Sequence, residues 1–353
     1  MLNEIVTSFI PRSYTMSLLY LTQQGTQLRK DHGRFVVRQP DQSKVEVLIK
    51  EVEHICLFGN IHLSTSAIAT CLHHQIPVVF LSQTGSYKGH LWSAEHQHQR
   101  IETAQHQRFA DPVFQIETAK AIVAGKIENS RQHLLKLNRR RDLTTVSEAA
   151  AGLKRDLSAV QQLTYEADNL DRLRGYEGTA ATRYFLGLGQ LIKHPDFTFT
   201  KRTRRPPTDP VNSLFSFGYT LLFNNVLSLL RVEGLNPYLG NLHRSDRPEA
   251  QLAFDLMEEF RSPIVDTLVL QLINQNVFSS EDFTPPNEAG GVYLIDSARK
   301  RFLPAFEKRI MSEIQHPDSS QAVPYRQAIV LQLRRYKQCL PTGGTYEPFR
   351  RAT

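Results

Sequence analysis

The sequence predicts an α+β protein: a small N-terminal β-sheet or sandwich domain over residues 1–92, followed by a larger all-α domain over residues 93–353. Three observations lead there. At 353 residues the chain exceeds what a single hydrophobic core usually serves. Over residues 17–92 the apolar residues come in runs of strand length, separated by Gly25, Gly33, Pro40 and Gly59. Beyond Trp92 the apolar period becomes helical and stays so.

In chain order the strand runs are "SLLYLT", "TQLRK", "RFVVRQ", "VEVLIK", "HICLFG" and "VVFLS". One helix interrupts them: "STSAIATCLHHQ" offers Ser64, Thr65 or Ser66 as N-cap and stops before Pro77. "SQTGSYKGHLWS", with glycines at both bends, predicts a hairpin. "AEHQHQRIETAQHQRF" is polar and reads as a linker. Over residues 111–141 an Asp-Pro start, with Val113, Ile116, Ala119, Ile122 and Val123 at helical spacing, predicts an amphipathic helix. Further helices are expected over 177–193, 210–233, 248–260, 265–275, 298–312 and 323–339.

Lysine and arginine number 42 against 35 acidic residues, a net charge of +7 that suits a polyanionic partner such as nucleic acid. Cys56, Cys71 and Cys339 form no C-x-x-C pair and are too few for a disulfide framework, so they read as buried thiols in a reducing compartment. The N-terminus lacks the basic start and apolar run of a secretory signal, and asparagines, serines and a tyrosine interrupt even "SLFSFGYTLLFNNVLSLL". The expectation is a cytoplasmic protein that spans no membrane. "GLGQL" lacks the strand before it and the final glycine of a dinucleotide fingerprint, which excludes that cofactor.

Basic residues cluster at Arg139 to Arg141, in "KRTRRPP" with Lys201, Arg202, Arg204 and Arg205, and at Arg334 to Lys337. A solvated surface is the ordinary reading of each run; lying against a phosphate backbone is the functional one. Phe197, Phe199, Phe215, Phe217 and Tyr219, near the second run, offer stacking platforms for bases or, for Phe215 and Phe217, core packing. The close pairs His73/His74 and His96/His98 have no carboxylate or cysteine company and make weak metal signals.

His243 differs because a helix with acidic residues lies just downstream. Ser245 and Asp246 are capping candidates, Pro248 suits a first helical position, and Leu252, Leu256 and Phe260 fall on one apolar face. On that helix Asp255 and Glu258 lie within ~60° of each other, with Glu259 close by. A solvated acidic face is the commonplace outcome; the alternative is that two carboxylates meet His243 if the loop folds back. Glu177, between Gly175 and Gly178, is either a helix-start carboxylate or a third ligand whose small neighbours allow close approach.

Three blocks, "YEGTAATRYF", "PPTDPVNSLFSFGYTLLF" and "GNLHRSDRPEAQLAFDLMEEFRSPIVDTLVLQLINQ", together resemble the integrase-endonuclease of CRISPR adaptation, the Cas-one family. The resemblance runs from the N-terminal strands to the final "YEPFRR". It implies an N-terminal domain that dimerises and a helical domain that carries the site. The family's metal-binding glutamate falls on Glu177, its histidine on His243 and its final acidic ligand on Glu258; Asp255 matches a second acidic position beside the metal in some members. Many members have aspartate at Glu258 and a small hydroxyl residue at Gln251.

Two carboxylates and an imidazole suit Mn²⁺ or Mg²⁺. The activity implied is metal-dependent: a DNA 3′-hydroxyl attacks a phosphodiester of the CRISPR repeat, or water nicks DNA instead. Lys201, Arg202, Arg204 and Arg205 then become backbone clamps, and Asn212 and Tyr219 supporting contacts. The implied partners are prespacer and repeat DNA, a second copy of the chain and the small adaptation protein Cas-two. An idle basic DNA-binding scaffold and a general metal-dependent nuclease are the competing readings.

Overall fold

The computed structural model describes residues 17–83, 87–93, 99–164, 169–243 and 249–351. They fall into two compact units, Met1–His96 with Arg299–Glu307, and Gln97–Ala298 with Lys308–Thr353. The first contains β1 (Ser17–Leu21), β2 (Gln27–Asp31), β3 (Arg34–Arg38), β4 (Lys44–Leu48), β5 (Val52–Phe58), β6 (His62–Leu63), α1 (Thr65–His73), β7 (Val78–Leu81) and β8 (Tyr87–Leu91).

These strands make two four-stranded sheets, ordered β1-β5-β7-β8 and β4-β3-β2-β6. In the first, β1, β5 and β7 run parallel and β8 returns antiparallel to β7. The second is an antiparallel meander with β6 added parallel to β2. Period-two alternation sends Phe35 and Val37 of β3 and Ile55 and Leu57 of β5 into one core, which Ala67 and Cys71 join from one face of α1 at helical spacing. The Ser64 hydroxyl caps α1 by accepting from Ala67 N at 3.2 Å.

The other face of β5 is also buried, at Cys56 and Phe58, as expected for a central strand with a nearly continuous apolar run. Beside Phe58, Tyr20 donates its hydroxyl to the buried Glu307 Oε1 at 2.7 Å. Residues 299–307 therefore complete the β unit from far along the chain, a pairing that local periodicity carries no sign of.

The second unit holds α2 (Gln99–Phe109), α3 (Pro112–Asn138), α4 (Thr144–Gln162), α5 (Asn169–Gly189), α6 (Pro210–Val232), α7 (Gln251–Phe260), α8 (Thr267–Asn274), both ends of α9 (Asp296–Ile310), a two-stranded ladder of β9 (Glu313–Ile314) and β10 (Val323–Pro324), and α10 (Tyr325–Thr342). Several expectations need correction. The polar stretch read as a linker forms α2, because Gln105 is buried and exchanges two 2.8 Å hydrogen bonds with the Asn236 backbone. A polar anchor replaces the apolar stripe. The helix α4 was not expected, since its buried stripe, Val146, Ala149, Ala150, Leu153 and Val160, is rich in alanine and contrasts weakly with its neighbours.

Helix α5 begins at Asn169, so Glu177 lies two turns inside it and is no helix-start carboxylate. Helices α7 and α8 are joined through a π-helical turn, Arg261–Asp266. The wider turn absorbs Pro263, which lacks an N–H and clashes in a regular α-helix. Helix α7 begins at Gln251 behind Ala250 with no side-chain cap, later than the expected start at Pro248 with Ser245 or Asp246 as cap; those three residues, like His96 and His98, lie outside the described residues.

By length and composition α6 could cross a membrane, contrary to the sequence reading, but 89% of its most apolar window is buried inside the protein. Phe197, Phe199, Phe215 and Phe217 are buried, with Phe185, Phe199 and Phe215 in mutual edge contact at 5.6–5.9 Å. They are core and offer no stacking platform. The three cysteines are free and buried.

Candidate metal centre

Helix α7 departs from the ordinary amphipathic pattern: Leu252, Leu256 and Phe260 are buried, and so are Asp255, Glu258 and Glu259. A buried carboxylate is costly unless paired or hydrogen-bonded, so each of the three needs partners. They solve this differently.

Asp255 takes its partners from the loop that precedes α7. Its Oδ2 accepts from Asn241 N at 2.5 Å and Leu242 N at 2.9 Å, and its Oδ1 accepts from His243 N at 3.0 Å. Gly240 permits this approach: a Cβ there would stand 2.7 Å from the Gln251 Cβ. Arg174, one turn before Glu177 on α5, grips the same loop by donating to the Leu242 carbonyl at 2.8 and 3.0 Å.

The fourth contact to Asp255 is His243 Nδ1, 2.7 Å from Oδ1. An ionised carboxylate only accepts, so Asp255 Oδ1 places a ring proton on Nδ1; the other nitrogen, Nε2, lies 4.0 Å from Glu258 Oε1. Carboxylate–imidazole pairing of this kind is what fixes a histidine for metal ligation. Burial works against a charged His243 ring, but the hydrogen bond and charge of Asp255, with the charge of Glu258, raise its pKa above the ordinary value.

Glu258 is ringed by cations. Its Oε1 meets Arg261 Nη2 at 2.9 Å, and its Oε2 lies 2.7 Å from Lys126 Nζ. The second contact is an ion pair without hydrogen-bond alignment, which leaves Oε2 a buried oxygen with no hydrogen bond. Burial would raise the Glu258 carboxyl, but the charges of Arg261 and Lys126 outweigh it and hold the pKa well below the usual carboxylate range. Lys126, on α3, also pairs with Glu177 Oε1, so the two carboxylates converge on one ammonium. A Cβ at Gly175 or Gly178 would meet nothing within 4 Å, so the surface of α5 is open at those two positions.

Arg261 opens the π-helical turn and is held from beneath by the Tyr219 ring, 4.8 Å from its guanidinium carbon. At the other end of the turn Asp266 accepts from Tyr219 at 2.5 Å and Tyr184 at 2.8 Å. Burial pushes the Asp266 carboxyl up against these two hydrogen bonds. Lys126, Glu177, Tyr184, Tyr219, Arg261 and Asp266 line a cavity of ≈ 30 Å³. It has room for roughly one or two waters.

Glu177, His243 and Glu258 are thus brought together, with Lys126 between the carboxylates. Among the described residues no three His, Cys, Asp or Glu side chains already stand in metal-holding array. The donor set nevertheless fits a divalent ion: two carboxylates sharing one cation, one buried oxygen without a hydrogen bond, and an imidazole oriented by Asp255. Asp255 itself spends both oxygens on the loop.

The remaining residues divide. Lys201, Arg204 and Arg205 are exposed. Arg202 is turned inward to Asn212 Oδ1 at 2.8 Å and Ser216 at 3.0 Å, and it stacks on Tyr219. Asn212 is fully buried, tying Thr203 N, the Lys201 carbonyl and the N-cap Asp209 together. Tyr219 lines the cavity, with Arg202 stacked on its ring and bonded to Asn212. Sequence reasoning missed Lys126, Arg174, Arg261 and Asp266. A signal existed for Lys126, which shares a face with the core residues Ile122 and Val123.

A family model for CRISPR associated protein Cas1 matches residues 19–308. The chain belongs to the Cas1 family. CRISPR-associated endonuclease Cas1 1 of Thermus thermophilus is 35% identical over 335 residues, covering 94% of this chain and 98% of that one. A CRISPR-associated exonuclease Cas4/endonuclease Cas1 fusion of Geobacter sulfurreducens is 36% identical over 321 residues, covering 90% of this chain; the chain spans 57% of the fusion's length. Among solved structures, the Cas6-RT-Cas1--Cas2 complex contains a chain that superposes with a TM-score of 0.81 at 25% identity, covering 99% of this chain and 38% of that one. A CAS1 protein from Thermotoga maritima shares the fold with a TM-score of 0.79 at 24% identity, covering 95% of this chain and all of that one. Cas1 nucleases are generally divalent-metal dependent.

Proposed function

We propose that this Cas1 chain is a divalent-metal-dependent DNA endonuclease and integrase of CRISPR adaptation, with Glu177, His243 and Glu258 as the residues that hold Mn²⁺ or Mg²⁺. Family membership supports the reaction class. The observation that carries the site is the convergence of Glu177 and Glu258, from α5 and α7, on Lys126, with His243 Nε2 4.0 Å from Glu258 Oε1. A bound divalent ion would supply Lewis-acid polarisation of the scissile phosphate and activation of the attacking oxygen.

The chain's own groups do the rest. Asp255 keeps the Nδ1 proton on His243 and the lone pair on Nε2. Arg261, held between Glu258 and the Tyr219 ring, offers fixed positive charge to a phosphate drawn to the ion beside Glu258. Exposed Lys201, Arg204 and Arg205 bind the DNA backbone without reading sequence. Prespacer and repeat DNA are the substrates, a Cas2-type protein the partner, and a second copy of the chain pairs through the β unit; the working compartment is the cytoplasm. The Cas6-RT-Cas1--Cas2 complex supports the choice of partner.

The test incubates the protein and its small partner with a prespacer and a repeat-bearing plasmid, with and without Mn²⁺. Joined products that require Mn²⁺ and vanish in Glu177→Ala and His243→Ala, with DNA retardation on a gel preserved, support the assignment. Joining that survives in either variant refutes it.

A further inference from the structure

Among the described residues Lys126 is the cation in direct ion-pair contact with both carboxylates of the proposed centre, and its surroundings explain why that matters. Its side chain is 15% exposed and bridges Glu177, 26% exposed, to Glu258, 3% exposed. Arg261 also pairs with Glu258, but its planar head is pinned on Tyr219 and takes the other oxygen. Lys126 differs in both respects: an ammonium on a flexible four-carbon stem, aimed at Glu258 Oε2 without hydrogen-bond alignment.

Resting on the metal-centre reading above, we infer that Lys126 is a resident counter-ion of the metal-free site: it holds Glu177 and Glu258 converged and competes with the divalent ion for them. Two carboxylates held by one ammonium in a partly dry site repel, and removing the ammonium that bridges them would spread them or raise the cost of keeping both ionised. Lys126 supplies that balance. The same charge opposes a dication at the same oxygens, so the ammonium has to leave them when an ion binds. Lys126 is therefore a positioning residue that sets the metal affinity.

The test measures Mn²⁺ binding to the purified full chain, by calorimetry and by loss of the free-Mn²⁺ resonance signal, for the wild type, Lys126→Met, Lys126→Arg, Glu177→Gln and His243→Ala. Lys126→Met is expected to bind Mn²⁺ about ten-fold or more tightly, the direction set by removing an adjacent like charge. Lys126→Arg, which keeps the charge, should not tighten it. Without metal Lys126→Met should melt below the wild type, and saturating Mn²⁺ should raise its Tm by more than it raises the wild type's. Should Lys126→Met fail to fold, Lys126→Gln serves with the same expectation.

An unchanged or weaker affinity in the neutral variants, while Glu177→Gln and His243→Ala lose binding, overturns the counter-ion role and leaves the metal centre standing. Binding that Glu177→Gln and His243→Ala leave intact overturns the metal centre and this inference with it.

Discussion

Glu258 and Glu259 are consecutive residues on α7, both buried, and they show two ways to keep a carboxylate inside a protein. Glu258 is surrounded by charge: Arg261 and Lys126 keep it ionised. Glu259, about 100° further round the helix, has neutral hydrogen-bond partners. It accepts from Tyr346 at 2.8 Å, Phe349 N at 2.6 Å and Gln332 at 3.1 Å, and burial outweighs these contacts and pushes its pKa up to about 8.

The first environment gathers cations that a metal and a phosphate can replace or share. The second seats the C-terminal segment, where Phe349 stacks on Phe260 at 4.8 Å and Asn129 bonds the Phe349 carbonyl and Arg351 N. One helix therefore carries a chemical face and a structural face. What separates them is the charge of the neighbours, since both carboxylates are equally out of water.

The largest effect expected from breaking this contrast is at the chemical face. Glu258→Gln leaves Lys126 and Arg261 facing an uncharged partner, at a cost of about 3–5 kcal/mol in stability. It should also lower metal-dependent DNA joining more than ~100-fold, beyond the loss typical of an outer-shell change. Asp255→Asn comes next: the loop loses part of its anchor and His243 its preferred tautomer, and a fall of ~10–100-fold in metal affinity or rate is expected, read by titration and by joining assays.

Replacing Lys201, Arg204 and Arg205 together by alanine should weaken DNA binding evenly across sequences. It should reduce the slope of log affinity against log salt by about one for each phosphate no longer neutralised, while Mn²⁺ binding stays unchanged. The smallest effect is at the structural face. Glu259→Gln resembles the protonated acid, and activity should stay within a few-fold of the wild type.

Acidity separates the two glutamates more sharply still. The folded-state pKa of Glu259 lies above its ordinary value of 4.5. Its stabilisation is whole below that value and is lost as pH rises through about 8. Glu258 is depressed, so its stabilisation is present above its ordinary 4.5 and is lost as pH falls through the lowered value. In thermal melts from about pH 5 to 9, Glu259→Gln should gain on the wild type as pH rises. The deficit of Glu258→Gln should shrink only in acid. Parallel curves for the two variants would remove the distinction.

The two faces were unequally legible in the sequence. Strand runs, the Ser64 cap and the apolar stripe of α7 follow from local period and are found as expected. The acidic residues of α7 read as a solvated face, because burial of a carboxylate depends on Lys126, Gln332 and Tyr346, which lie 73 to 132 residues away along the chain. His243, Glu177 and Glu258 became a set only through the resemblance of whole blocks. Helix α2 escaped notice for a related reason: Gln105 anchors it through hydrogen bonds to Asn236, and no hydrophobic pattern records such a contact.

The central claim is that Glu177, His243 and Glu258 hold one divalent ion. Crystals of the protein soaked in Mn²⁺, with anomalous data collected near the manganese edge, test it most directly. A single strong peak ligated by the Glu177 and Glu258 carboxylates and by His243 Nε2 is the expected result, with Asp255 still bonded to Nδ1. A peak held by other residues, or none at saturating Mn²⁺, would contradict it.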